Sequence, residues 1–337
     1  MNPIKIAQIG ISHEHAAGKI ATLRQMPDVF EIVGVVDDSA STAAKVPSAR
    51  ENFDGLPFVS EEELYRIPGL QCVTVEVPNG DLVPTALRCM EHKLPMHMDK
   101  PGGEDLALFK KLLDGCKAKK LPFQMGYMFR GNPAFQFCLK ILREKWLGEV
   151  FAMDADMNHN YGGDAYQEYL GKFHGGIMFN LGCHLIDFVV AAMGAPRNVV
   201  PFLQSTADLP DSIHNNCTAV LEYPHANLVL RSCSRMSGCV ASRRMRIAGT
   251  NGWIDLSPLE RFDDVPISLT MRLTTPKGGY DAGIHTIEFS VRHDRYREQM
   301  LELAGMIRGE VTNPYSYEHD YLVQQVVLAA SGYAKWR

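Results

Sequence analysis

An amide, an imidazole and a carboxylate recur at helical spacing in one stretch of the chain: Asn180, His184 and Asp187, within His174-Gly175-Gly176-Ile177-Met178-Phe179-Asn180-Leu181-Gly182-Cys183-His184-Leu185-Ile186-Asp187. At about 100° per residue the three fall within roughly 60° of one another. Met178, Leu181, Leu185, Phe188 and Ala192 recur at three- and four-residue spacing on a neighbouring face, the period of a buried stripe. The pattern predicts a helix after the two glycines, stopped by Gly194 and Pro196. An imidazole titrating near neutrality can take or give a proton, and Gly175-Gly176 lets another group approach the backbone. A partly exposed helix with ordinary polar residues fits the same pattern.

A second set of candidates lies at the start. Residues 4–11 alternate as a strand and reach Gly10, after which Ser12, His13 and His15 lead into a helical pattern. The next strand, residues 30–36, ends on Asp37-Asp38. Strand, glycine turn and helix make the first half of a βαβ unit. An acidic group after the second strand can accept hydrogen bonds from ribose hydroxyls while the helix amides face a pyrophosphate. Only the first glycine of G-x-G-x-x-G is present; Ser12 and His15 replace the others. His13 and His15 also form an H-x-H, but no companion cluster has zinc spacing, so no metal is expected and the pair is assigned to the phosphate loop.

Further strand ends carry polar or punctuating residues. A short strand is expected at residues 57–59, a helix at 61–66, a strand at 73–77 ending on Pro78-Asn79, and a helix at 82–91. Then come a strand at 94–98 ending on Asp99-Lys100-Pro101, a helix at 104–119 and a strand at 122–125. This alternation predicts a doubly wound parallel sheet whose ligands lie beyond the carboxyl ends of its strands, where Gly10, Asp37, Pro78, Asn79, Asp99 and Lys100 all fall. Beyond residue 130 the rhythm changes to a helix, a long strand at 150–158, the polar loop around Asn160 to Tyr166, the helix described above, and then short strands. Gly249-Thr250-Asn251-Gly252 is a strong hairpin signal among them. The second half is therefore α+β with a large, mainly antiparallel sheet, one face of which is solvated or available to another subunit. The expected domains are 1–125, binding a dinucleotide, and 126–337, binding substrate and mediating oligomerisation.

A length of 337 residues suits two domains. A net charge of -5 without a long basic run excludes a nucleic-acid surface. There is no apolar run long enough to span a membrane, and the N-terminus enters a strand pattern at once; no membrane association and a cytoplasmic location are expected. The eight cysteines include no C-x-x-C and read as small buried thiols.

Together, the opening βαβ unit, Asp99-Lys100-Pro101 after the fifth expected strand, and Gly175-Gly176 through His184 resemble the Gfo/Idh/MocA family of glucose-fructose oxidoreductase and inositol dehydrogenase. The likeness spans essentially the whole chain. It implies an N-terminal Rossmann domain and NAD or NADP as cofactor. It also implies hydride transfer at a secondary hydroxyl of a sugar, cyclitol or related polyol, and a homo-oligomer, dimer or tetramer. Carried over residue by residue, it places Lys100 beside the nicotinamide ribose and substrate hydroxyl, with a cis peptide before Pro101, and His184 at the acid/base position. Asn180 stands where most relatives have Asp, and an amide cannot take a proton. Either His184 acts alone, a carboxylate such as Asp156 or Asp164 substitutes, or the protein does different chemistry. Gly10, Ser12, His13, His15, Asp37, Pro78, Asn79, Asp99, Lys100 and Pro101 are the expected cofactor contacts. Tyr127, Arg130, His159, Tyr161, Asp164, Tyr166, His174 and Asn180 are the expected substrate side. Asp37-Asp38 would repel a 2′-phosphate, favouring NAD over NADP. The alternatives are an NAD-dependent glycosidase working by transient oxidation and a non-catalytic dinucleotide- or sugar-binding protein.

Overall fold

A computed structural model describes residues 2–40, 50–160, 163–261, 263, 265–290 and 294–336. In chain order these form β1 Ile4–Ile9, α1 Ala16–Arg24, β2 Phe30–Val36, α2 Glu61–Leu64, β3 Cys72–Val75, α3 Leu82–Glu91, β4 Met96–Met98, α4 Leu106–Lys119 and β5 Phe123–Met125. Then follow α5 Pro133–Arg143, β6 Val150–Asp156, α6 Asp164–Leu170, a π-helical turn Met178–Gly182 and α7 Cys183–Met193. The remainder is β7 Asn198–Gln204, β8 Asn216–Tyr223, β9 Ala226–Cys233, β10 Arg244–Gly249, β11 Gly252–Leu256, β12 Ile267–Leu273, β13 Gly283–Phe289, α8 Arg297–Arg308 and α9 Tyr317–Ala330. Contacts divide the chain into a first unit, Met1–Gly131 with Asp294–Gln324, and a second, Asn132–His293 with Gln325–Arg337.

The first unit holds a parallel five-stranded sheet in the order β2-β1-β3-β4-β5. Strand order reverses between β1 and β3, which opens a crevice at their carboxyl ends. The strand expected at residues 57–59 is reduced to one bridge, Val35 to Phe58, because Pro57 lacks an N–H and only three residues are available. α8 belongs to this unit although it lies far along the sequence. Its Met300, Leu303, Ala304 and Met306 share a core with Ile20 and Leu23 of α1 and Ile4 and Ile6 of β1. Each buried Met, Leu or Ile among these contributes roughly 1.5–3 kcal/mol relative to exposure. The division by contacts is thus discontinuous in sequence, unlike the continuous 1–125 and 126–337 expected from patterning.

The second unit holds an eight-stranded sheet, β13-β12-β11-β10-β6-β9-β8-β7, antiparallel except for the β6–β9 pair. β8 alternates half-buried and buried residues along its whole length, with Cys217, Ala219 and Leu221 inward. Phe135 of α5 and Phe188 of α7 meet edge to face with ring centroids 5.2 Å apart. Phe151, Phe202 and Ile284 remain exposed on strands of the sheet. Among the described residues no helix is long and apolar enough to cross a membrane.

Candidate functional site

In the first unit the site is built at the β1/β3 crevice. Gly10 leaves β1 with φ +105°, and a Cβ there would lie 2.4 Å from the backbone oxygen of Glu76, just beyond β3. Only glycine fits so close an approach. The turn is then held by Asp38, whose Oδ1 accepts from the amides of Ile11 at 2.8 Å and Ser12 at 3.0 Å, while Oδ2 accepts from Ser12 Oγ at 2.5 Å. Ser12 therefore replaces the second glycine by anchoring the loop from below. Asp37, the expected ribose ligand, accepts from Ser39 N and lies 3.2 Å from Nη2 of Arg50. Burial opposes its ionisation, but Ser39 and Arg50 hold its carboxyl below the usual range. No Arg closely follows Asp37 in sequence; folding brings Arg50 to it.

His13 and Asp99 are buried, and His15 is nearly so. Asp99 Oδ2 lies 3.1 Å from Nδ1 of His13 and 2.7 Å from Nδ1 of His15, while Oδ1 accepts from the Lys100 amide at 2.7 Å. His13 Nε2 lies 3.2 Å from Asn79 Oδ1. Burial disfavours the Asp99 carboxylate, yet His15 and His13 outweigh it and keep the group well below its ordinary pKa. Removal from water pushes His15 down to about 4 despite the pull of Asp99. Lys100 follows β4 and is 1% exposed, and the Lys100–Pro101 peptide is cis. Behind this row, buried Lys19, Glu76 and His97 form a polar layer that patterning did not single out. His97 sits in an alternating Met-His-Met strand, but a parallel strand buries both faces.

The chemistry of this donor set fits a dinucleotide. Carboxylates suited to ribose hydroxyls follow β2, imidazoles and an ammonium suited to anionic or polar groups follow β1 and β4, and α1 has no acidic residue in its first turn.

Tyr127 is buried beneath Arg130, which lies between the Tyr127 and Tyr315 rings and pairs with Asp320 at 2.6 Å. Both residues are thus part of the first unit's interior packing.

In the second unit Asn180, His184 and Asp187 are all buried, so the partly exposed helix allowed by the pattern is not formed. Asn180 lies in the π-helical turn, whose wider repeat alters the angle to His184 expected from a regular α-helix. Its Nδ2 donates to the hydroxyl of Tyr166 on α6. The groups admitted by the two glycines belong to the chain itself. A Cβ on Gly175 would lie 2.3 Å from Ser331 Cβ, and one on Gly176, where φ is +48°, 1.9 Å from the His214 oxygen. Asp156 is partly exposed and pairs with Arg231 at 3.4 Å, and Asp164 is exposed, 3.9 Å from Arg235. His159 is half-buried between β9 and Met236 through its backbone. His174 is exposed, with its ring against His214 and Tyr333. Tyr161 lies outside the described residues. Patterning missed a buried junction in this unit, where Gln167 Oε1 accepts from Ser234 Oγ at 2.9 Å and Asn215 Nδ2 at 3.3 Å.

Two family models match the chain. The oxidoreductase family with an NAD-binding Rossmann fold matches residues 4–127, and the GFO/IDH/MocA C-terminal domain matches residues 135–255. The chain belongs to the Gfo/Idh/MocA oxidoreductase family. Two Schizosaccharomyces pombe oxidoreductases of this kind, C115.03 and C26H5.09c, are 26% and 25% identical over 273 and 268 residues, covering 75% of this chain and 70% of each of theirs. Solved Gfo/Idh/MocA-like folds include an NAD-binding oxidoreductase from Klebsiella pneumoniae, with TM-score 0.79, 14% identity and coverage of 98% of this chain and 96% of that one. An oxidoreductase from Agrobacterium radiobacter, in complex with NAD+, L-tartaric acid and magnesium, gives TM-score 0.77, 16% identity and coverage of 98% and 95%. At these identities the solved structures establish the fold.

Proposed function

We propose that this chain is an NAD-dependent dehydrogenase acting on CH–OH groups, with a secondary hydroxyl of a sugar, cyclitol or related polyol as its substrate. The observation that carries the reading is the buried ammonium of Lys100 immediately after β4, in the unit whose β1 loop and β2 carboxylates suit a dinucleotide. Bound NAD supplies the hydride acceptor or donor. Lys100 stabilises negative charge developing on the substrate oxygen. His184 takes the hydroxyl proton in oxidation and returns it in reduction. Asn180 orients Tyr166 and the substrate by hydrogen bonds without itself exchanging a proton.

We assign dinucleotide binding to the first domain, 1–125, and substrate recognition and assembly to 126–337. Tyr127, Arg130, His159, Tyr161, Asp164 and His174 are its further substrate-side candidates, with the buried Arg130 acting through position. The Agrobacterium neighbour's complex with NAD+ and L-tartaric acid supports a small hydroxylated ligand. Asp37 and Asp38 support NAD over NADP, since two carboxylates oppose a 2′-phosphate. The exposed Phe151, Phe202 and Ile284 support an assembly through the open sheet face, as a homodimer or homotetramer.

A panel of sugars, cyclitols and hydroxy acids assayed with NAD for absorbance of the reduced nicotinamide tests the reading. Turnover with at least one secondary alcohol is expected. Tight NAD binding with no turnover across the panel would instead support a binding protein.

A further inference from the structure

We propose that His13, His15 and Asp99 form a binding site for one divalent transition-metal cation, with Nδ1 of each imidazole and Oδ2 of the carboxylate as donors. The three donor atoms lie within 4.8 Å of one another. The sheet brings them together: the H-x-H leaves β1, Asp99 leaves β4, and both strands pair with β3. A histidine pair two residues apart thus acquires in space the third ligand that its sequence neighbourhood lacks.

The buried approach of the imidazoles to Asp99 suits a cation. His13 Nδ1 lies 3.2 Å from the backbone amide of His15. Its Nε2 lies 3.2 Å from the side-chain amide of Asn79, a partner for the ring proton when Nδ1 serves as a ligand. The contact of Nδ1 with Asp99 Oδ2, at 3.1 Å, is buried, 1% exposed on both sides. A divalent cation between them would take the place of the proton through which the pair interacts and would offset the desolvation of the buried carboxylate.

The surroundings resemble those of a metal centre. Asn79 stands at the outer nitrogen of His13, and the Lys100 amide holds the second oxygen of Asp99. A common ion would require the three donors at about 2.1 Å from it, reached by reorienting the two rings. Two imidazoles and one carboxylate favour zinc, cobalt or iron over the all-oxygen preference of magnesium and calcium. Three protein donors leave a coordination position for water or for an oxygen of a bound ligand.

The test uses the full-length protein after chelator treatment, with Zn2+ titrated calorimetrically and Co2+ followed by visible absorption. The expected result is one equivalent of Zn2+ and a Co2+ spectrum without thiolate charge-transfer bands. His15→Gln, at the rim of the cluster, is expected to weaken Zn2+ by at least about 100-fold, and Asn79→Ala by about 10–100-fold through loss of the outer partner. Far-UV circular dichroism confirms that each variant is folded. Absence of a stoichiometric Zn2+ site in the wild type would overturn the proposal. So would thiolate bands in the Co2+ spectrum, or unchanged affinity in folded His15→Gln. The Co2+ spectrum of the wild type decides the matter if the variants do not fold. NADH binding, measured separately, distinguishes this result from failure of the dehydrogenase reading.

Discussion

Lys19 Nζ lies 2.7 Å from Nε2 of His97 inside the first unit, with both side chains buried. The contact sets the direction of a chain of hydrogen bonds. The ammonium donates to Nε2, so the ring proton resides on Nδ1 and is given to Gln124 Oε1 at 2.8 Å. Gln124 Nε2 in turn donates to Glu302 at 2.6 Å. The same ammonium lies 4.2 Å from the centre of the Tyr296 ring and 3.7 Å from Glu76. This layer supports β3 and β4, from whose ends Asn79, Asp99 and Lys100 emerge.

Burial, with the charge of Lys19 adding to it, lowers the pKa of His97 from 6.5 to about 3, against the pull of Gln124 and Asp99. As pH falls below 6.5 the unfolded chain takes up this proton first, so acid favours unfolding. Stability from this group is expected to fall by about 1.4 kcal/mol per pH unit between the two values and to be level above the upper one. Urea unfolding of chelator-treated protein at several pH values, compared with His97→Gln, measures the difference. An equal slope in the variant would contradict the assignment.

Lys19→Met leaves His97 Nε2 buried without its donor. A loss of about 1–3 kcal/mol is expected in urea midpoints, the cost of an unsatisfied buried polar group. Lys19→Arg, too large for the same position, should not restore it.

Gly10→Ala places a methyl against the Glu76 carbonyl in a backbone region that alanine avoids. NADH affinity measured by fluorescence should fall by at least about tenfold, equivalent to ~1.4 kcal/mol. Gly176→Ala, which meets the His214 carbonyl, should lower thermal stability instead and leave NADH affinity near wild type.

Asp37→Ala frees Arg50 from its carboxylate partner. The ratio of NADP to NAD affinity is expected to rise by about tenfold, or ~1.4 kcal/mol, as repulsion at the ribose is replaced by attraction. Paired titrations of wild type and variant read this ratio directly.

Much of this arrangement is written in local patterning. Alternation of strands and helices up to residue 125 marks a parallel sheet, and the Asn251-Gly252 pair marks the β10–β11 hairpin. Asp99 and Lys100 are legible because strand ends in such sheets carry ligands. Other features depend on contacts distant in sequence. Nothing around Arg50 indicates that it reaches Asp37, and nothing near His13 and His15 names Asp99 as their neighbour. The π-helical turn at Asn180 escapes a fixed 100° periodicity, and α8 joins the first unit through an apolar face that could have packed on either sheet.

Dependence on Lys100 and His184 tests the dehydrogenase reading most directly, through transfer of deuterium from a substrate labelled at its carbinol carbon. The wild type is expected to deliver that deuterium to the reduced nicotinamide, with turnover falling by about 10²–10⁴-fold in His184→Ala and about 10²–10³-fold in Lys100→Met. Product formation with the deuterium lost to solvent, or wild-type turnover in both variants, would contradict it.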